Sequence, residues 1–100
     1  MNQQCLLRLN VPPSLEEDVV DLLLAADNIP GFQSYPTRGH GQVGAMTIAE
    51  QVAGPRYRVQ FEIVLEADKL ESLLQTFKEA LPGPDIIYWV LPISASGRLL

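Results

Sequence analysis

Hydrophobic and polar positions alternate along the start of the chain, with Cys5, Leu7, Leu9 and Val11 on one side of an extended backbone and Gln4, Leu6, Arg8 and Asn10 on the other. That period of two predicts a strand from Gln3 to Val11, stopped by Pro12-Pro13. The spacing then becomes helical. Leu15, Val19, Leu22, Leu23 and Ala26 share one helix face, while Glu16, Glu17, Asp18 and Asp21 gather near the N-terminus, where the helix dipole favours negative charge. Ser14 and Glu17 have the spacing of a capping box, so the helix is expected to start at Ser14. Asn28-Ile29-Pro30-Gly31 ends it: Pro30 has no N–H to donate and Gly31 is free to take positive φ. A short strand is expected next, from Phe32 to Pro36.

Neither period holds from Thr37 to Pro55, where Gly39, Gly41, Gly44 and Gly54 are spread through a long loop. Loops of this length in small domains commonly carry function. A clean alternation follows, with Tyr57, Val59, Phe61, Ile63 and Leu65 against Arg56, Arg58, Gln60, Glu62 and Glu66, and it predicts a strand from Arg56 to Glu66. Asp68 and Glu71 repeat the capping spacing, and Leu70, Leu73, Leu74, Phe77 and Leu81 predict a second helix over Lys69 to Leu81. After Pro82-Gly83-Pro84, the stretch Asp85 to Ile93 is apolar on both sides of any strand, so it is expected to be covered on two faces.

The order strand, helix, strand, strand, helix, strand is that of an α+β, ferredoxin-like βαββαβ sandwich: a four-stranded antiparallel sheet with two helices on one face, one domain over residues 1–100. The other face would carry Leu6, Arg8, Arg58, Gln60, Glu62, Val64, Ile87, Trp89 and Leu91. Two readings compete for it, self-association through the apolar edge and a monomer with a patchy sheet. Glu62 on that face is expected to serve structurally, as a partner for Arg8 or Arg58 across subunits.

Composition narrows the function. Seven Lys and Arg against twelve Asp and Glu leave a net charge of −5, which disfavours nonspecific binding to nucleic acid or to an anionic membrane. The single cysteine excludes an internal disulfide, and Cys5, alternating inward with Leu7 and Leu9, reads as core filler. No stretch approaches the roughly 20 apolar residues of a membrane span, and Met1-Asn2-Gln3-Gln4 lacks the basic start of a signal peptide, so a soluble cytoplasmic protein is expected.

Candidate chemistry gathers around the loop. Gly39-His40-Gly41-Gln42-Val43-Gly44 spells G-x-G-x-x-G, but without the doubly wound sheet that gives the dinucleotide motif its meaning. A glycine-rich turn there serves either as an anion cradle of backbone amides or as a hinge. Arg38, Arg56 and Arg58 meet at the loop base if the flanking strands pair, and Arg98 is a further candidate. Guanidiniums so grouped suit phosphate or carboxylate; the alternative is pairing with Glu62 and Glu66. His40 is the only histidine, accessible enough to bind a metal, but a zinc site would need Cys5, Met46, Glu50 or symmetry-related histidines to converge with it. One histidine and scattered carboxylates do not make a catalytic set, so no enzyme is expected.

With Gly39-His40-Gly41, Glu50-Gln51-Val52-Ala53-Gly54 and the ending Tyr88-Trp89-Val90-Leu91-Pro92-Ile93, the chain resembles the PII-like superfamily. It is most similar to the branch encoded beside bacterial heavy-metal efflux pumps, whose members share Gly-His-Gly, a strand near Phe61-Glu62-Ile63 and a Tyr-Trp-Val-x-Pro ending before Gly97-Arg98-Leu99. The resemblance implies a homotrimer with sheets toward its axis, a small anionic effector such as a nucleotide held between subunits, a T-loop-like segment over 37–55, and signalling to a partner, an efflux protein among the candidates. One departure matters: PII signalling proteins carry a glycine- and lysine-containing phosphate loop where this chain has Leu81-Pro82-Gly83-Pro84-Asp85, so ATP binding does not carry over. The related CutA-like branch implies the alternative, capture of a divalent or soft metal ion through His40 for metal tolerance.

Overall fold

The alternation at the start of the chain becomes a strand at the centre of a sheet. β1 (Gln4–Val11) buries Cys5, Leu7, Leu9 and Val11 on one face and leaves the intervening residues half-buried on the other. It lies between β3 (Arg56–Glu66) and β4 (Ile87–Ile93), antiparallel to both, and β2 (Phe32–Gly39) pairs with the outer edge of β3. The order β2-β3-β1-β4 is that of the ferredoxin-like sandwich. The computed structural model describes residues 3–41, 56–81, 83 and 85–100.

Two helices close one face. α1 (Glu16–Ala25) buries Val19 and Leu23, and α2 (Leu70–Ala80) buries Leu73 and Phe77. These join Val59, Phe61, Ile63 and Leu65 of β3 and the inward row of β1 in one core. Leu7, Val11, Val19, Phe61 and Ile63 have no exposed surface. Each apolar side chain so buried stabilises the fold by about 1.5–3 kcal/mol before chain entropy is set against it. The opposite face of the sheet stays open.

Four local expectations are corrected. Neither capping box forms: both helices are entered through 3-10 turns, Pro13–Leu15 and Ala67–Lys69, with no side-chain cap bond. The N–H of Ala67 instead donates to the Gln3 carbonyl at 2.7 Å, so tertiary contact replaces the cap. The chain turns after α1 at Asn28, with φ of 66°, and not at Gly31; asparagine tolerates the left-handed region better than most residues. β2 runs on to Gly39, because Pro36 sits in an edge strand where a missing N–H costs little. Thr37 to Gly39 therefore belong to a strand, and the remainder of the expected loop from 42 to 55 lies outside the described residues. Last, β4 is an edge strand, and in the single chain it is not covered on two faces: Tyr88 is 52% and Trp89 41% exposed.

Candidate functional site

Strand register places polar side chains side by side on the open face. Gln33, Glu62 and Arg8 occupy one cross-strand row on β2, β3 and β1, and Tyr35, Gln60 and Asn10 occupy the next. Glu62 accepts hydrogen bonds from Arg8 Nε at 2.9 Å, Gln33 Nε2 at 3.0 Å and the Tyr35 hydroxyl at 3.0 Å. Burial works to raise the pKa of this carboxyl, but the bonds from Gln33, Tyr35 and Arg8 and the charge of Arg8 outweigh it, so the group sits below its ordinary value. The Arg8–Glu62 pair forms within one chain, not between subunits as the sequence suggested. Gln60 continues the network, donating to the Tyr35 oxygen at 3.2 Å and accepting from Asn10 Nδ2 at 2.9 Å.

At the far end of the same face the network meets a buried arginine. The Arg58 side chain is 3% exposed, and so polar a group is tolerated there only because its hydrogen bonds are met. Its Nε donates to Asn10 Oδ1 at 2.6 Å, and its Nη2 donates to the backbone carbonyls of Asn10 and Asp85 at 2.9 and 2.8 Å. Its Nη1 lies 3.0 Å from Asp85 Oδ2 without making a hydrogen bond. Arg56 also pairs with the Asp85 carboxylate. These two arginines thus pair with Asp85, not with the Glu62 and Glu66 that the sequence offered as alternatives. The carboxylate lies behind a cleft of about 290 Å³ lined by Asn10, Gly39, His40, Arg56, Arg58 and Trp89, among others.

The expected site residues divide. Gly39, His40, Arg56 and Arg58 line this cleft, and so does Arg38, but the Arg38 guanidinium lies 5.9 Å from the centre of the Tyr57 ring. Register puts Arg38 and Tyr57 on the sheet face opposite Arg58, so three guanidiniums do not converge. Gly41 takes a φ of +86° and is not among the lining residues. Arg98 follows Ser96, whose hydroxyl is hydrogen-bonded to Gln4 at the end of β1 away from Asn10, and it does not reach the cleft. Among the described residues no group of three His, Cys, Asp or Glu is placed to hold a metal. His40 is exposed, Cys5 is buried in the core with its thiol pKa raised by burial, and Met46 and Glu50 lie outside the described residues. Asp85 and Asn10 were missed as site residues. Asn10 carries a faint signal, an amide on the outward side of an otherwise clean strand.

Comparison with known proteins adds a family. The model of the family described as "Protein of unknown function (DUF3240)" matches residues 1–100. Among solved structures, a DUF3240 family protein from Shewanella baltica is 25% identical, with a TM-score of 0.83 and full coverage of both chains. Arabidopsis thaliana PII bound to citrate is 25% identical, with a TM-score of 0.72 over 93% of this chain and 79% of that one. CPII, a nitrogen regulatory PII-like protein from Thiomonas intermedia bound to ADP, AMP and bicarbonate, is 15% identical, with a TM-score of 0.72 over 97% of each chain. No curated protein matches the sequence. The sandwich, its strand order and its open polar face therefore have a family to go with them: the chain belongs to DUF3240 and has the PII-like fold.

Proposed function

We propose that this protein is a PII-like regulator that binds a small anion in the cleft between Gly39-His40, Arg56, Arg58 and Trp89. The observation that carries the reading is Arg58: a guanidinium 97% buried, at the wall of a cleft, with one nitrogen lacking a hydrogen-bond acceptor. A buried donor left unmet in this way is satisfied by an acceptor that enters from the cleft, and a carboxylate or phosphate oxygen meets it best. Two structural neighbours hold ligands of that chemistry, citrate in one and ADP, AMP and bicarbonate in the other.

The cleft's rim is formed by the end of β2 and the start of β3, so a bound anion touches both ends of the connection between these strands. Occupancy is signalled when the two states of that connection differ in their affinity for the anion, since equal affinity shifts no population. A trimer through the open face is part of the reading. It is supported by Trp89 at 41% and Ile87 at 36% exposure beside Leu6, Val64 and Leu91, an apolar edge that association would cover.

Isothermal titration with citrate, bicarbonate, AMP and ADP tests the proposal. At least one should bind, and Arg56→Gln should weaken it by about ten-fold, the usual effect of losing one charge-assisted bond, with the far-UV spectrum unchanged. Absence of binding by all four anions would remove the regulatory reading.

A further inference from the structure

A second hollow lies on the other side of the sheet, between α2 and β4. It is a groove of about 720 Å³ whose apolar floor includes Leu9, Phe77, Leu81, Ile86 and Tyr88, with Glu71 and Lys78 of α2 along its rim. Seven helical residues separate these two charges, about 10 Å along the axis. Elsewhere the chain ends in an unusual segment: beyond β4, Leu99 and Leu100 are 104% and 112% exposed, directly after the cation Arg98. Adjacent leucines held wholly in water have apolar surface to lose and nothing in their own chain covering it.

We infer that the Arg98-Leu99-Leu100 segment of one copy docks in the α2–β4 groove of a second copy, with Arg98 against Glu71 and the leucines over the apolar floor. Reach favours a second copy over the same one. Ser96 is hydrogen-bonded to Gln4, so only Gly97 to Leu100 are free to travel, and four extended residues span at most about 14 Å. Leu9 on the groove floor is five strand residues from Gln4, about 17 Å along β1, and Leu81 and Ile86 line the same floor. Within one chain Leu99 falls short of that floor. Charge agrees with the assignment: the chain carries twelve acidic against seven basic residues, and this apolar segment begins with one of its few cations while the groove rim offers Glu71. The groove is on the helix-bearing face and the anion cleft on the open one, so the inference does not rest on the anion reading.

Disulfide trapping between two singly substituted chains tests it. A chain with Gly97→Cys is co-expressed with a chain of distinguishable mass carrying Ser72→Cys; a Cβ at Gly97 meets nothing within 4 Å, Ser72 is exposed on the groove, and the native Cys5 is buried. The mixed disulfide should form several-fold above a control pair with Ser14→Cys in place of Ser72→Cys. It should fall to the control level when the tail chain also carries Arg98→Glu, and recover when the groove chain then carries Glu71→Arg. Replacing both leucines, Leu99→Asp with Leu100→Asp, should abolish it. A mixed disulfide no more abundant than the control, or one indifferent to both the charge reversal and the loss of the leucines, overturns the proposal.

Discussion

Arg58 and Glu62 lie on the same face of β3 and illustrate two ways of holding a charge in a sheet. Glu62 is satisfied by three neighbours that strand register brings to it, and Arg58 by the Asn10 side chain and two backbone carbonyls. The carboxyl of Glu62 titrates below its ordinary value of 4.5, so its contribution to stability is present above that pH and fades as the pH falls through the lowered value. Glu62→Gln should therefore cost about 1–2 kcal/mol at pH 7 by urea denaturation, and the gap to the native protein should narrow below pH 4.5. A gap independent of pH would mean that the bonds, and not the charge, matter. The Arg8–Glu62 pair was partly legible in the sequence, because both residues fall on outward positions of alternating strands. Asp85 was not, since it reaches Arg56 and Arg58 from beyond a whole strand and helix, where no local spacing points to it.

Each element owes its existence to periodicity and its ends to something else. The alternation of β1 and β3 and the helical stripes of α1 and α2 reproduce the buried rows of the core. The capping signals failed because a Pro-initiated 3-10 turn leads into α1 and because the bond from Ala67 to the Gln3 carbonyl fixes the entry to α2. It follows that Ser14→Ala and Asp68→Ala should each change stability by less than about 0.5 kcal/mol, as ordinary surface substitutions do, and not by the roughly 1 kcal/mol of a lost cap. Denaturant midpoints of the two variants decide this. β4 shows the reverse failure: its continuous apolar run suggested burial on both faces, yet it forms the sheet's edge, and its exposed rings mark surface that a single chain does not cover.

The whole molecule presents two faces of different character. The helices seal one side over a core in which Phe61 is wholly buried, whereas the other side joins a polar network to an apolar edge around Trp89. If that edge is the assembly surface, Trp89→Glu should dissociate the oligomer to a monomer in sedimentation velocity while leaving the core, and hence the thermal transition of the monomer, in place. A charged residue at the centre of an apolar contact costs association directly. A native protein that sediments as a monomer would remove the trimer, and with it any ligand contact contributed by a neighbouring subunit. No helix among the described residues is long and apolar enough to cross a membrane.

The alternation and helical periods of the sequence determined the α+β sandwich, the membership of its core and the residues of its open face, because burial depends on which side of an element each residue faces, and that is a local property of spacing. Tertiary structure alone decided which charges meet. The junction of Arg56, Arg58 and Asp85, the stacking of Arg38 on Tyr57 away from the cleft, and the groove beside α2 depend on strand order and register, which bring together residues distant in the chain. Sequence spacing specifies the face on which a side chain lies, but its partner there is set by whichever strand packs alongside.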